Sequence, residues 1–254
     1  METIGLIAAM KQESGALLRC IKKWKRITIG PYRGAHFQIL DRNCILITSG
    51  MGLKRAKDAT RILLTKESPQ LIISFGIAGA PNVDLQIGDV VVARSACLLE
   101  NGLPGRLKPL ASISTAVWNA ATQALHPHEA RLVFGTTITT RGSQVFLQGS
   151  EEMPYPVLEM ETAGIAQVAA EMGIPLLSIR SISDGPQSPI PINLEAALDD
   201  KDNLRIGKLL LMALRYPQII FHSGQIMQNS RKAADHAAIS ILAALNQPLP
   251  LINS

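Results

Sequence analysis

Aromatic residues are scarce, only 4% of the 254 residues, so the core has to be built from aliphatic side chains. Cysteine is scarcer still. Cys20, Cys44 and Cys97 are too few and too scattered for a disulfide framework or a zinc site, and they fit a reducing, cytoplasmic setting. The five histidines are dispersed, none at metal-ligand spacing with an acid, so no metal is expected. His126-Pro127-His128 reads as a surface loop, and Trp24 and Trp118 read as packing anchors. No window approaches the roughly 18 uninterrupted apolar residues of a spanning helix. The apolar run Ile4 to Met10 is too short for a signal peptide and lacks basic residues before it. No repeat, low-complexity tract or Ser/Gly linker divides the chain. A dinucleotide fingerprint is missing, because Leu53-Lys54-Arg55 follows Gly50-Met51-Gly52 with no third glycine, and there is no P-loop. Twenty-five Lys and Arg against 20 Asp and Glu give +5, an excess too modest to point to nucleic acid.

What is present is apolar bulk. Hydrophobic residues make up 47% and charged residues 18%, which excludes a disordered chain. A chain of this length buries roughly three quarters of its unfolded surface. Apolar runs predict strands at Ile4 to Ala9, His36 to Leu40, Cys44 to Thr48, Leu71 to Phe75, Asp89 to Ala93, Arg131 to Thr137 and Pro175 to Ser181. Helical spacing covers Gln12 to Cys20, Leu53 to Lys66 and Glu161 to Met172, with further helices between Asn203 and Leu245. Near-continuous apolar strands separated by helices predict one α/β domain with a largely parallel sheet, and a helical C-terminal extension over 203–254.

Ligands collect at the carboxyl ends of strands in such sheets. Five strand ends carry pocket-like sequence: Met10 to Glu13, Ser49 to Gly52, Gly76 to Gly79, Glu159 to Glu161, and Ser183-Asp184. The glycines suit either tight turns or close approach of backbone to a ligand. Each acid taken alone has a structural explanation. Glu13 and Glu161 can cap helices, and Asp184 can serve a turn before Gly185-Pro186. Arg180 is different, because a guanidinium inside an apolar strand requires a partner.

Together these segments resemble the nucleoside phosphorylase and nucleosidase superfamily, nearest the methylthioadenosine/S-adenosylhomocysteine nucleosidases. The likeness rests on Ile4 to Glu13, Ser49-Gly50-Met51-Gly52, Phe75 to Gly79 with Ile87-Gly88-Asp89-Val90-Val91, and Glu159-Met160-Glu161 with Arg180 to Asp184. It implies an α/β phosphorylase-type fold with a central mixed, partly barrel-like sheet flanked by helices. It also implies cleavage of the bond between a purine and ribose. Asp184 would protonate purine N7, and Glu13 would take a proton from a water held with help from Arg180. Met10, Met51, Ile77, Ala78, Gly79, Glu159, Met160, Glu161 and Ser183 would bind the nucleoside, Glu161 through the ribose hydroxyls. No cofactor is implied beyond inorganic phosphate as co-substrate if the enzyme is a phosphorylase. A homo-oligomer is implied, since a neighbouring subunit often completes the pocket in that family.

The chain departs from the family at three places. Ile77 stands where many relatives have Ser, Ser74 stands where bacterial purine phosphorylases have a phosphate-binding Arg, and Thr139 to Phe146 replaces the usual adenine clamp. The missing anion-binding residues favour hydrolysis. The tract Leu204 to Ala234 carries Arg205, Lys208, Arg215, Arg231 and Lys232 and no acid, beside apolar runs. It fits either a helical hairpin docked on the domain or contact of 205–232 with an anionic membrane. This tail and Ser74 to Gly79 are similar to the hopanoid-associated branch, linked to removing adenine from adenosylhopane and commonly labelled phosphorylases. A nucleoside-binding protein without catalysis and a peripheral membrane protein acting through its tail are the alternatives.

Overall fold

A computed structural model describes residues 2–141, 153–186 and 218–248. Among the described residues eleven strands form one continuous framework: β1 Glu2–Ala8, β2 Trp24–Ile29, β3 Tyr32–Ile39, β4 Arg42–Thr48, β5 Leu71–Gly79, β6 Val90–Glu100, β7 Leu103–Pro104, β8 Lys108–Pro109, β9 Leu132–Thr139, β10 Pro156–Glu159 and β11 Leu176–Asp184. The helices are α1 Lys11–Cys20, α2 Leu53–Glu67, α3 Thr115–Leu125, α4 Thr162–Glu171 and α5 Gln218–Leu245.

The strand order is β10-β9-β6-β11-β5-β1-β4-β3-β2, and β10 also meets β5 at Leu158 and Gly79. That last bridge closes β5, β11, β6, β9 and β10 into a small ring, while β1, β4, β3 and β2 extend as an open arm. The sheet is mixed, as the resemblance implies, and less parallel than the apolar runs predict. β3 runs antiparallel to both β2 and β4, and β6 runs antiparallel to β11. The reason is visible in β2, which is almost wholly exposed and carries no apolar signal. A tight hairpin joins it to β3, so no crossover helix imposes parallel pairing. Gly76 to Gly79, expected as a turn beyond β5, instead stays in the strand and pairs with β11.

Strand alternation distributes the core over two faces of the sheet. Ile4, Leu6 and Ala8 of β1 join the cluster beneath α1, α3 and α5, while Ile7 joins the cluster beneath α2 and α4. Trp118 stacks on Phe134, ring centroids 4.2 Å apart, as a packing anchor should. Trp24 does not: 40% of it is exposed on the edge strand β2.

The segment expected as a C-terminal extension divides. Residues 203–217 lie outside the described residues. Helix α5 is a core element, with Ala234, Ala238, Ile241 and Leu245 fully buried in the main cluster. Arg231 and Lys232 are on its exposed side. His236 is buried on the same helix, with Nδ1 2.7 Å from the Gly88 carbonyl.

Removing the Ile241 side chain should therefore cost what a large-to-small core substitution costs. Ile241→Ala is expected to lower the unfolding free energy by about 2–5 kcal/mol in urea denaturation. A loss below about 1 kcal/mol would mean that α5 is peripheral.

Candidate active site

The site is written into the register between β5 and β11. Arg180 pairs with Gly76, and Asp184 pairs with Gly79. Each glycine leaves open the space that the functional side chain needs. A Cβ on Gly76 would overlap Glu13 Oε1, and one on Gly79 would sit 2.8 Å from Asp184 Oδ2. Glu13 therefore reaches the β5 backbone near Gly76 and Asp184 near Gly79. The two positions are three residues apart, roughly 10 Å at about 3.3 Å per residue.

Glu13 is fixed from two sides. Met10 N donates to Oε2 at 2.7 Å, the reach-back bond of a helix N-terminus, and Ile77 N donates to Oε1 at 2.9 Å. Burial pushes its carboxyl above the usual range. The amide of Ile77 and the charge of Arg180 pull it back towards ionisation.

Arg180 is the only Lys or Arg that is buried among the described residues. Its Nη2 lies 2.9 Å from each of Ser74 Oγ, Glu159 Oε2 and Thr162 Oγ1. Its Nε has no hydrogen-bond partner among the described residues. Glu159 is saturated. Thr139 Oγ1 donates a short bond to Oε1, and Oε2 accepts from Glu161 N at 2.9 Å, Thr162 N at 2.8 Å and Thr162 Oγ1 at 2.9 Å besides Arg180. The same carboxylate thus caps α4 and neutralises the guanidinium.

Glu161 has no cation of its own. Gly52 N donates to Oε1 at 2.8 Å, where a positive φ of 101° at Gly52 opens helix α2. Burial, followed by the repulsion of Glu159, pushes the Glu161 carboxyl up to about 8. Glu13, Glu159 and Glu161 surround one guanidinium and only Glu159 is ion-paired with it, so the other two carboxyls are both held above their usual range.

Asp184 is aimed by an irregularity. The β5–β11 register shifts between Ile182 and Asp184, and the extra residue is Ser183. Its hydroxyl donates to Asp184 Oδ1 at 2.6 Å and lies 3.3 Å from the Ala78 carbonyl. Burial raises the Asp184 carboxyl, and the Ser183 bond partly offsets this.

The structure thus brings together Glu13, Arg180, Glu161, Asp184, Ser183, Ala78 and the backbones of Met10 and Ile77. Met10, Met51, Met160, Ile77 and Gly79 are half-buried beside the carboxylates they flank in sequence. Glu159 is the correction among the expected ligand-facing residues. Its oxygens are filled by protein donors, so it positions Arg180 and Glu161. Ser74, singled out as the place of a missing phosphate-binding Arg, is fully buried against Arg180. Sequence reasoning missed Thr139 and Thr162. Their only signal is a hydroxyl at a strand end and a helix start, which is too common to single out. Of the stretch Thr139 to Phe146, residues 142–146 lie outside the described residues.

This arrangement has parallels among known proteins. The family model described as the phosphorylase superfamily matches residues 3–214. The 5'-methylthioadenosine/S-adenosylhomocysteine nucleosidase of Tolumonas auensis is 32% identical over 208 residues, covering 73% of this chain and 88% of that protein. Its counterpart in Buchnera aphidicola is 26% identical over 211 residues, covering 77% and 90%. Among solved structures, the Neisseria meningitidis nucleosidase in complex with methylthio-immucillin-A superposes with a TM-score of 0.67 at 20% identity, covering 97% of this chain and 99% of that one. Helicobacter pylori futalosine hydrolase superposes at 0.65 and 16% identity, with the same coverage. The family match spans most of the chain and contains Glu13, Glu161, Arg180 and Asp184, and on that ground the protein belongs to the phosphorylase superfamily and is a glycosyl-bond-cleaving enzyme.

Proposed function

We propose that the protein hydrolyses the N-glycosidic bond of an adenine nucleoside bearing a 5′ substituent. One observation carries this reading: Glu13 reaches β5 at Gly76 and Asp184 reaches it three residues on at Gly79, with Arg180 in register with Gly76 and Glu161 close enough to feel the charges of both Arg180 and Glu13. Breaking the bond leaves positive charge on the sugar and negative charge on the base. In this arrangement Glu13 takes a proton from water as the water oxygen bonds to C1′. The electrons of the C1′–N9 bond pass into the purine, and Asp184 gives its proton to N7. Glu161 meets the ribose hydroxyls. A free Asp, with a pKa of about 3.9, would be ionised at neutral pH, so the burial that raises Asp184 serves its role as an acid.

Water is favoured over phosphate on electrostatic grounds. The buried guanidinium is already ion-paired with Glu159, at 2.9 Å, and two further carboxyls face it. A phosphate dianion entering beside them would lose its hydration and find, among the described residues, no buried cation that is not already ion-paired. The named relatives that are nucleosidases and hydrolases support the same direction.

The test is adenine release from methylthioadenosine, adenosine and a 5′-alkyl adenosine in phosphate-free buffer. Release is expected, and the preferred substrate identifies the 5′ group as thioether or long alkyl. Absence of release from all three would contradict the reading. Asp184→Asn should lower kcat by roughly 10²–10⁴-fold while nucleoside binding persists in calorimetry. Unchanged kcat would remove Asp184 from the acid role.

The protonation of the site also makes a prediction about stability. Glu161 is ionised in the unfolded chain above about 4.5 but stays protonated in the fold up to about 8. The native state therefore binds more protons across that window, and stability falls as pH rises through it, by at most about 1.4 kcal/mol per pH unit. Thermal melts of the wild type should decline between pH 5 and pH 8, and Glu161→Gln should make the decline shallower, leaving the part that the raised Glu13 and Asp184 carboxyls supply. Parallel curves for the two proteins would show that Glu161 ionises normally.

A further inference from the structure

Between Glu13 and Asp41 the chain has no acidic residue and six cations, Arg19, Lys22, Lys23, Lys25, Arg26 and Arg33. Arg19 is paired with Asp235, at 2.5 Å. The other five are exposed and form no ion pair among the described residues. Four of the five flank Trp24 directly, in the run Lys22-Lys23-Trp24-Lys25-Arg26 on and before β2. That strand is the free edge of the sheet.

Edge strands commonly carry lysines that block pairing with other chains, and this accounts for Lys23 and Lys25. It does not account for Trp24. A large exposed indole at an open edge works against such protection, in a chain with only two tryptophans. Nor does it account for the groove. Strand alternation turns Trp24, Arg26 and Thr28 to one face, where they line a cavity of about 580 Å³ with Lys11, Ser14, Leu18, Arg33, Leu46 and Thr48. The groove combines three cations with hydroxyls and an aliphatic floor, and none of the described residues lining it is an acid. It lies on the opposite face of α1 from the buried Glu13, so the reaction does not use it.

We propose that this edge docks the protein on an anionic phospholipid surface. Arg26, Arg33 and Lys11 take a lipid phosphodiester in the groove, Trp24 lies at the level of the headgroups, and Lys22, Lys23 and Lys25 meet the surrounding negative charge. Tryptophan suits that position because one part of the ring is apolar and its N–H is polar. Single-stranded nucleic acid, the other polyanion, is bound on successive aromatic platforms, and this edge offers one.

The experiment is flotation of the full chain with vesicles of phosphatidylcholine alone and of phosphatidylcholine mixed with phosphatidylglycerol, at low and high salt. Flotation is expected only with the anionic vesicles and should weaken in high salt. Each cation near such a surface contributes roughly fivefold in partitioning, so Lys25→Glu/Arg26→Glu should reduce binding at least tenfold. Trp24→Ser should reduce it as well. Both variants should retain wild-type adenine release and melting temperature, since neither touches the site. Equal flotation with neutral vesicles, no flotation at all, or flotation undiminished in both variants would overturn the proposal, the last by placing the contact elsewhere on the chain. Binding of a single-stranded oligonucleotide in preference to the vesicles, abolished by Trp24→Ser, would also overturn it.

Discussion

Everything at the centre of this molecule depends on a guanidinium held out of water. Arg180 sits in the middle of an apolar strand, and moving such an ion into the interior costs several kcal/mol unless its donors are met. Glu159 meets that cost, and its location has consequences. It stands at the end of β10, accepts two backbone amides from the start of α4, and so fixes the helix that begins beside Glu161. With Glu159 committed to Arg180, the remaining carboxyls have to share what positive potential is left. Burial pushes both Glu161 and Glu13 upward, and at Glu13 two backbone amides and the more distant Arg180 charge offset part of the shift.

The second constraint is steric and resides in β5. Functional side chains from α1 and β11 approach this strand so closely that a methyl group at Gly76 or Gly79 would collide with them. The glycines do not break the strand. They stay in register with β11 and leave the space unfilled. The inserted Ser183 in β11 then turns Asp184 towards Gly79 and supplies the hydroxyl that orients its carboxyl. The closing bridge from Leu158 to Gly79 brings the Glu159 strand to the same place, so the barrel-like ring is what gathers the site.

Much of this was legible beforehand, and the exceptions share a cause. Long amphipathic segments such as Leu53–Glu67 and buried runs such as Glu2–Ala8 announce themselves through periodicity. The acids at Glu13, Glu161 and Asp184 stood out by following apolar strands, and Arg180 by lying inside one. β2 was not legible because an exposed, charged edge strand has no apolar pattern. The role of Glu159 was not legible because adjacent carboxylates in one motif look alike until their donors are seen. The Ser183 bulge was invisible because a one-residue register shift leaves no compositional trace. The apolar Ala-rich stripe of α5 was visible, yet its burial against β11 and α1 depends on tertiary packing.

In the hydrolysis proposed above, the ion-paired Arg180 and its surplus of carboxyls admit water to the anomeric carbon and exclude phosphate. The most direct measurement is product analysis by mass spectrometry after turnover in ¹⁸O-water with inorganic phosphate present. Free sugar carrying ¹⁸O at C1′ is the predicted product, at a rate independent of phosphate. A ribose 1-phosphate product without the label would contradict hydrolysis.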